Sequence, residues 1–205
     1  MGWFGNLIGS TDSEVITNGV LGRGEITNVD ISGMTLQMGN GLVERKCTVS
    51  MNVMIDGVAA FQATAVQRIQ EIVIPQLAQG AVVPVRVDSA DHSKVYIDFA
   101  SELPEVTLPK STGENSAAYI LEHGKPIKVV LVASQPIKLK NADGIEVYAL
   151  TLTTYEGVDT PYQLQVGNAV PATALPLLFP GSKLHAKLGA GPNDVVVDWA
   201  AGAAT

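Results

Sequence analysis

Two stretches about a hundred residues apart repeat one pattern, and that repetition limits what the chain can fold into more than any other feature. The first reads "IPQLAQGAVVPVRVDSADHSKVYIDFA" and the second "LPLLFPGSKLHAKLGAGPNDVVVDWA". At an offset of 101, Pro75 meets Pro176, Gly80 meets Gly181, and Val83, Val85 and Val87 meet Leu184, Ala186 and Leu188. One residue is then dropped in a turn, and Val95 to Ala100 meets Val195 to Ala200, placing Phe99 opposite Trp199. Upstream, "DGVAAFQATAV" matches "EGVDTPYQLQV", and "GRGEI" and "GKPIK" each supply a glycine followed by a basic residue. A period this long marks a structural unit used twice. The expected division is an apolar N-terminal segment over 1–17, a module over 18–100, a linker over 101–121, a second module over 122–200 and a tail over 201–205. The joint carries Pro104, Pro109 and Gly113 among several Ser and Thr, the composition of a linker.

Each module reads as β-structure. "CTVSMNVMI" sets Cys47, Val49, Met51, Val53 and Ile55 on one face at period two, with Thr48, Ser50 and Asn52 on the other. Phe61, Ala63 and Ala65 alternate with Gln62, Thr64 and Val66 in the same way. Gly39-Asn40-Gly41, Asp56-Gly57, Asp143-Gly144 and Glu156-Gly157 interrupt such runs with residues suited to tight hairpins. Helix is expected only around "RIQEIVIPQLAQG" and "NSAAYILEHGK". The fold class is therefore all-β: two tandem duplicated small β-barrel (OB-like) modules with little helix, closed so that apolar edges are covered. Phe99 and Trp199 are the expected aromatic plugs, and most aromatics are expected to point inward.

The string "GAVVPVRVDSADHSKVYIDF", preceded by "IPQL", resembles small uncharacterised actinobacterial proteins whose modules end in a G-x-x-V-P-V-x-V-D-x-x-D signature. It resembles more distantly the OB-like tail of NfeD-type membrane proteins. The likeness covers module one and reaches module two only through the repeat. It implies a barrel and carries no catalytic residues with it.

Chemistry is sparse. Asp88 and Asp91, with Asp98 beyond them, lack the alternating oxygens and closing Glu of a calcium loop, so no metal is expected and the aspartates read as turn formers. His92, His123 and His185 share no metal-ligand spacing. Cys47 is a small buried hydrophobe without a visible base, and one cysteine with no export signal points to a reducing cytoplasm. "GVLGRGE" has the wrong glycine order for a dinucleotide site and reads as strand start and turn, so no cofactor is expected. Thirteen basic against twenty acidic residues give a net charge of −7, which repels phosphate, and nucleic acid is not expected as a partner. No clustered titratable groups define an enzyme.

"MGWFGNLIGS" remains: ten residues without a charge, in which helical spacing would put Trp3, Phe4, Leu7 and Ile8 on one side. It is too short to span a bilayer and has no basic residue to hold anionic lipid. It can dock on a protein partner or a second copy, pack on its own module, or touch a membrane surface. The expected function is a non-enzymatic interaction or structural protein, an adaptor or assembly subunit that uses this segment for docking. The alternatives are a membrane-surface accessory protein and a small-ligand or nucleic-acid OB-type module.

Overall fold

In the computed structural model, residues 15–37 and 41–204 are described, and the chain forms two compact units, 1–106 and 107–205. Unit one contains β1 (Val20–Gln37), β2 (Val43–Met54), β3 (Phe61–Gln70), β4 (Val82–Val87) and β5 (Val95–Ile97). After a two-residue strand, β6 (Val106–Thr107), unit two contains α1 (Ala117–His123), β7 (Lys125–Lys140), β8 (Glu146–Glu156), β9 (Gln163–Ala169), β10 (Lys183–Leu188) and β11 (Val195–Val197). The sheet orders are β3-β2-β1-β4-β5 and β11-β10-β7-β8-β9, the same path in both units, with every pairing along it antiparallel.

The alternation read from the sequence sets the inner face. Cys47, Val49, Met51 and Val53 are at most 1 % exposed, while Thr48, Ser50 and Asn52 lie outward. Leu150 and Leu152 do the same for β8. Burying each such aliphatic side chain is worth about 1.5–3 kcal/mol, and the β-branched members suit the pleated surface. Long β1 serves two partners: Val20–Glu25 pairs with β4 while Arg23 onward pairs with β2, with register shifts after Ile26 and Ile31 that bend the strand around the core. Gly22 and Gly24 sit within this strand, where an added Cβ would lie 2.5 Å from Ile55 and Met51. They are there for close approach, not as the strand start and turn expected of them.

The structure revises the repeat at its beginning. Residues 15–18 are helical, Gly19 N donates to Val15 O, and an added Cβ on Gly19 would meet that carbonyl at 2.4 Å. Gly124 stands identically after α1, with its N–H on Ile120 O and the same 2.4 Å approach. The equivalent pair is therefore Gly19 and Gly124, and Ile26 corresponds to Leu131, each hydrogen-bonded to the glycine turn at Gly80 or Gly181. The "GRGEI"–"GKPIK" pairing is out of register by three residues. "NSAAYILEHGK" does contain a helix, capped by Ser116, whose Oγ accepts from Tyr119 N. "RIQEIVIPQLAQG" does not: Arg68 to Gln70 continue β3, and only Ile74–Gln76 form a 3₁₀ turn, because strand pairing with Glu44 to Lys46 claims the first residues. The positive φ of Gly57 (71°) and Gly157 (81°) matches the hairpin reading, whereas Gly39 and Asn40 lie outside the described residues.

Each sheet closes into a barrel through one side chain. Gln67 Nε2 donates to Ile97 O at 3.1 Å and its Oε1 accepts from Ile97 N at 2.7 Å, so an amide bridges the gap between β3 and β5. In unit two, Asn168 Nδ2 donates to Val195 O at 3.4 Å and Oδ1 accepts from Val197 N at 2.9 Å, bridging β9 and β11. Gln67 and Asn168 stand 101 apart, the offset of the repeat. The primary amide presents both a donor and an acceptor, as a neighbouring backbone would.

The aromatic expectations are corrected. Phe99 is 44 % exposed and plugs nothing, while Trp199 packs on the second core and donates Nε1–H to Ala169 O at 2.9 Å. Among the described residues no aromatic side chain is fully buried. The barrels are filled by aliphatics, which fit a narrow interior without an N–H or O–H to satisfy.

In unit one, Asp98 holds the last strand to the chain before β1. Arg86 Nε donates to its Oδ2 at 2.7 Å, Ser101 Oγ donates to the same oxygen at 2.7 Å, and Ala100 N donates to Oδ1. Arg86 Nη1 reaches Gly19 O. Burial acts to raise the Asp98 carboxyl, but the hydrogen bonds and the Arg86 charge outweigh it and hold the group below the ordinary carboxylate value. A depressed folded pKa gives stability that is full above the unfolded value and fades as pH falls through the folded one. Asp98→Asn is expected to destabilise unit one by about 1–2 kcal/mol at neutral pH. Urea titrations across pH should show the difference from wild type shrinking below about pH 4.

Candidate interaction surfaces

The described surface offers three kinds of relief. The first is a groove in unit one of about 440 Å³, lined by Ile31, Ser32, Gly33, Arg45, Glu71, Ile74 and Pro75. It forms because the β1–β2 hairpin runs on beyond the barrel, pairing Ile31 with Cys47 and Gln37 with Val43, and stands beside the β3–β4 connection. Arg45 donates from Nε and Nη2 to Glu71 Oε1 at 3.0 and 2.7 Å, so the two charges of the groove neutralise one another. Ile31 is 49 % exposed, and Leu42 and Ile72 also show large apolar surface.

The second is the outer face of β1, β2 and β3. Glu25, Asn28 and Asp30 stand opposite Asn52, Ser50 and Thr48, which stand opposite Gln62, Thr64 and Val66. Ser50 and Thr64 hydroxyls lie 3.4 Å apart, and Asn28 Nδ2 donates to Asp30 Oδ2 at 2.9 Å. This face carries hydroxyls, amides and carboxylates. A stacking platform for bases needs aromatics, and none stands among these residues.

The third is the outer face of β10. Lys183, His185 and Lys187 alternate with the buried Leu184 and Ala186, and Lys128 of β7 lies directly opposite His185. Lys128 Nζ pairs with Glu156 at 3.1 Å, and Lys183 Nζ stands 6.0 Å from the centre of the Tyr155 ring. At the equivalent positions unit one has Val82, Pro84, Arg86 and Arg23, with Arg86 tied to Asp98 and Arg23 buried. Residues 1–106 hold 6 basic and 12 acidic side chains, net −6, against 7 and 8 in residues 107–205, net −1.

The residues singled out in the sequence fall apart in space. Trp3, Phe4, Leu7 and Ile8 lie outside the described residues. Asp88 caps its own turn by accepting from Ala90 N and Asp91 N, Asp91 accepts from Ser93 N and Oγ, and Lys94 Nζ lies 3.7 and 3.5 Å from the two carboxylates. Those bonds and the lysine lower the Asp91 carboxyl, the Ser93 hydroxyl contributing most. His92 stacks on Phe61 at 4.7 Å, His123 stacks on Tyr119 within and at the end of α1, and His185 lies on β10. Cys47 is fully buried, which raises its thiol pKa and leaves it unreactive. Among the described residues no group of three His, Cys, Asp or Glu could hold a metal ion, and no helix is long and apolar enough to cross a membrane. The amide seams and the lysine stripe were not singled out in the sequence. The offset of 101 between Gln67 and Asn168 and the alternation in "KLHAK" are the signals that carry them.

The strand path β1-β2-β3-β5-β4, closed on itself, makes each unit a five-stranded Greek-key barrel of OB-like form, and the chain an all-β protein built from two of them. No family model and no curated protein matches it. Among solved structures, a chain of a replication protein A heterotrimer bound to single-stranded DNA is 16 % identical over 84 % of this chain and 44 % of its own length, with a TM-score of 0.21. The present chain thus spans less than half of that one, and the barrel assignment rests on the strand pairing described above.

Proposed function

We propose that the chain is a non-enzymatic interaction protein, a subunit of an assembly, in which the opening segment with Trp3, Phe4, Leu7 and Ile8 is the docking element. The observation that supports it most is the groove at Ile31, Ile74 and Pro75. Its only charged residues are paired with each other, and it suits a peptide with apolar side chains and no charge. Four such side chains would gain roughly 6–12 kcal/mol on burial. Ordering the segment offsets about as much, so a single site would be weak and repeated sites in an assembly would strengthen one another.

Deleting residues 1–10 tests this. Light scattering is expected to show loss of assembly while circular dichroism and the thermal midpoint stay unchanged, since the strands begin at Val20. An unchanged mass with a midpoint lowered by several degrees would mean that the segment belongs to its own core. Flotation of the full chain, but not the truncated one, with liposomes would favour the membrane.

A further inference from the structure

The lysine stripe on β10 is not required by the barrel, because the same architecture is built in unit one with Val82 and Pro84 at the positions of Lys183 and His185. No salt bridge of the described residues uses Lys183 or Lys187. The complementary surface is present in unit one. Glu25 and Asp30 stand opposite Asn52 and Thr48, four residues apart on β2, and Lys183 and Lys187 are four residues apart on β10. Both separations are about 13 Å at the rise of a β-strand. Each pair lies on the outer face of a sheet, among short polar side chains in unit one and beside Lys128 and His185 in unit two. The acidic excess of the chain is concentrated in residues 1–106, so this part of one copy attracts the stripe of another copy.

We propose that the β10 face of one copy, through Lys183, His185, Lys187 and Lys128, packs on the Glu25–Asp30 face of a second copy. This deepens the assembly reading above and rests on it. The contact is heterologous, a different patch from each copy, so it leaves one free face at each end and extends head to tail until a ring closes or a filament grows. Exposed ion pairs are individually weak and screened by salt. The association should therefore be concentration-dependent and weaken at least about tenfold between roughly 25 and 300 mM sodium chloride.

Sedimentation velocity on the full chain tests it. Lys183→Gln with Lys187→Gln, and separately Glu25→Gln with Asp30→Asn, should each weaken association about tenfold or more with thermal midpoints unchanged, since these groups face outward. An equimolar mixture of the two variants, each also lacking residues 1–10, should recover a species of two chains and nothing larger, because only one intact β10 contact can form between them. Association that is indifferent to salt and to both variants overturns this interface while leaving self-assembly standing. A monomer at every concentration and salt overturns both.

Discussion

Asn168→Leu is expected to unfold the second barrel at roughly 1–3 M lower urea while leaving the first almost untouched. Asn168 is 4 % exposed, and its amide hydrogen-bonds β9 to β11 across the seam. Leucine fills the volume but leaves the Val197 N–H and the Val195 carbonyl facing it, in a place closed to water. An unmet buried donor costs about 1–3 kcal/mol, and two such groups together place the loss at roughly 2–5 kcal/mol. Because the two units are separately compact, urea unfolding followed by fluorescence in a Trp3→Phe background, where Trp199 is the one remaining indole, reads that barrel specifically. Gln67→Leu should do the same to unit one with the Trp199 signal unmoved. A loss under about 0.5 kcal/mol for both variants would show that the seam is held by apolar packing alone.

Alanine at Gly124 is expected to be as damaging as any core truncation, though it adds only a methyl group. The new Cβ would lie 2.4 Å from Ile120 O and 3.0 Å from Leu188 O, both backbone atoms that cannot swing aside. Relief requires the end of α1 to separate from β10, which exposes Ile120, now 3 % exposed. A loss of about 2–4 kcal/mol follows, in the range of named backbone and overpacking effects. Gly19→Ala should match it, since its Cβ would meet Val15 O at 2.4 Å and Val87 O at 3.1 Å. Alanine at Gly33, where nothing lies within 4 Å, is the control and should leave the melt unchanged. Equal and small effects at all three positions would argue against the shared helix-to-strand junction.

Much of the architecture was legible because it follows from period and turn chemistry. Alternation in "CTVSMNVMI" assigned the inner face of β2 residue by residue, since a one-residue slip would reverse every side chain. The repeat at Gly80 and Gly181 located the same turn twice. What alternation could not carry is register at long range. The shift from 105 at Gly19 and Gly124 to 101 at Gln67 and Asn168 falls at the far end of the β1–β2 hairpin, which is four residues longer than that of β7–β8, and no local signal reports it. Phe99 differs from Trp199 for a related reason: equivalence in the repeat sets position along the chain and not burial, and only Trp199 has an N–H whose partner, Ala169 O, draws it onto the barrel. The surfaces were less legible still. The lysines of "KLHAK" become a stripe only once the strand is known, and the groove joins Ile31 to Pro75 across forty-four residues of sequence.

The two closing amides differ by one methylene, and the shorter spans its gap differently. Gln67 places both bonds on Ile97, whereas Asn168 straddles Val195 and Val197. Twin barrels on one chain face a hazard during synthesis, when a finished strand of the first can capture its counterpart from the second. Each barrel therefore closes with its own geometry, two bonds on one residue of β5 in unit one and two bonds on alternate residues of β11 in unit two, so a strand exchanged between the units would meet an amide of the other length at its final edge.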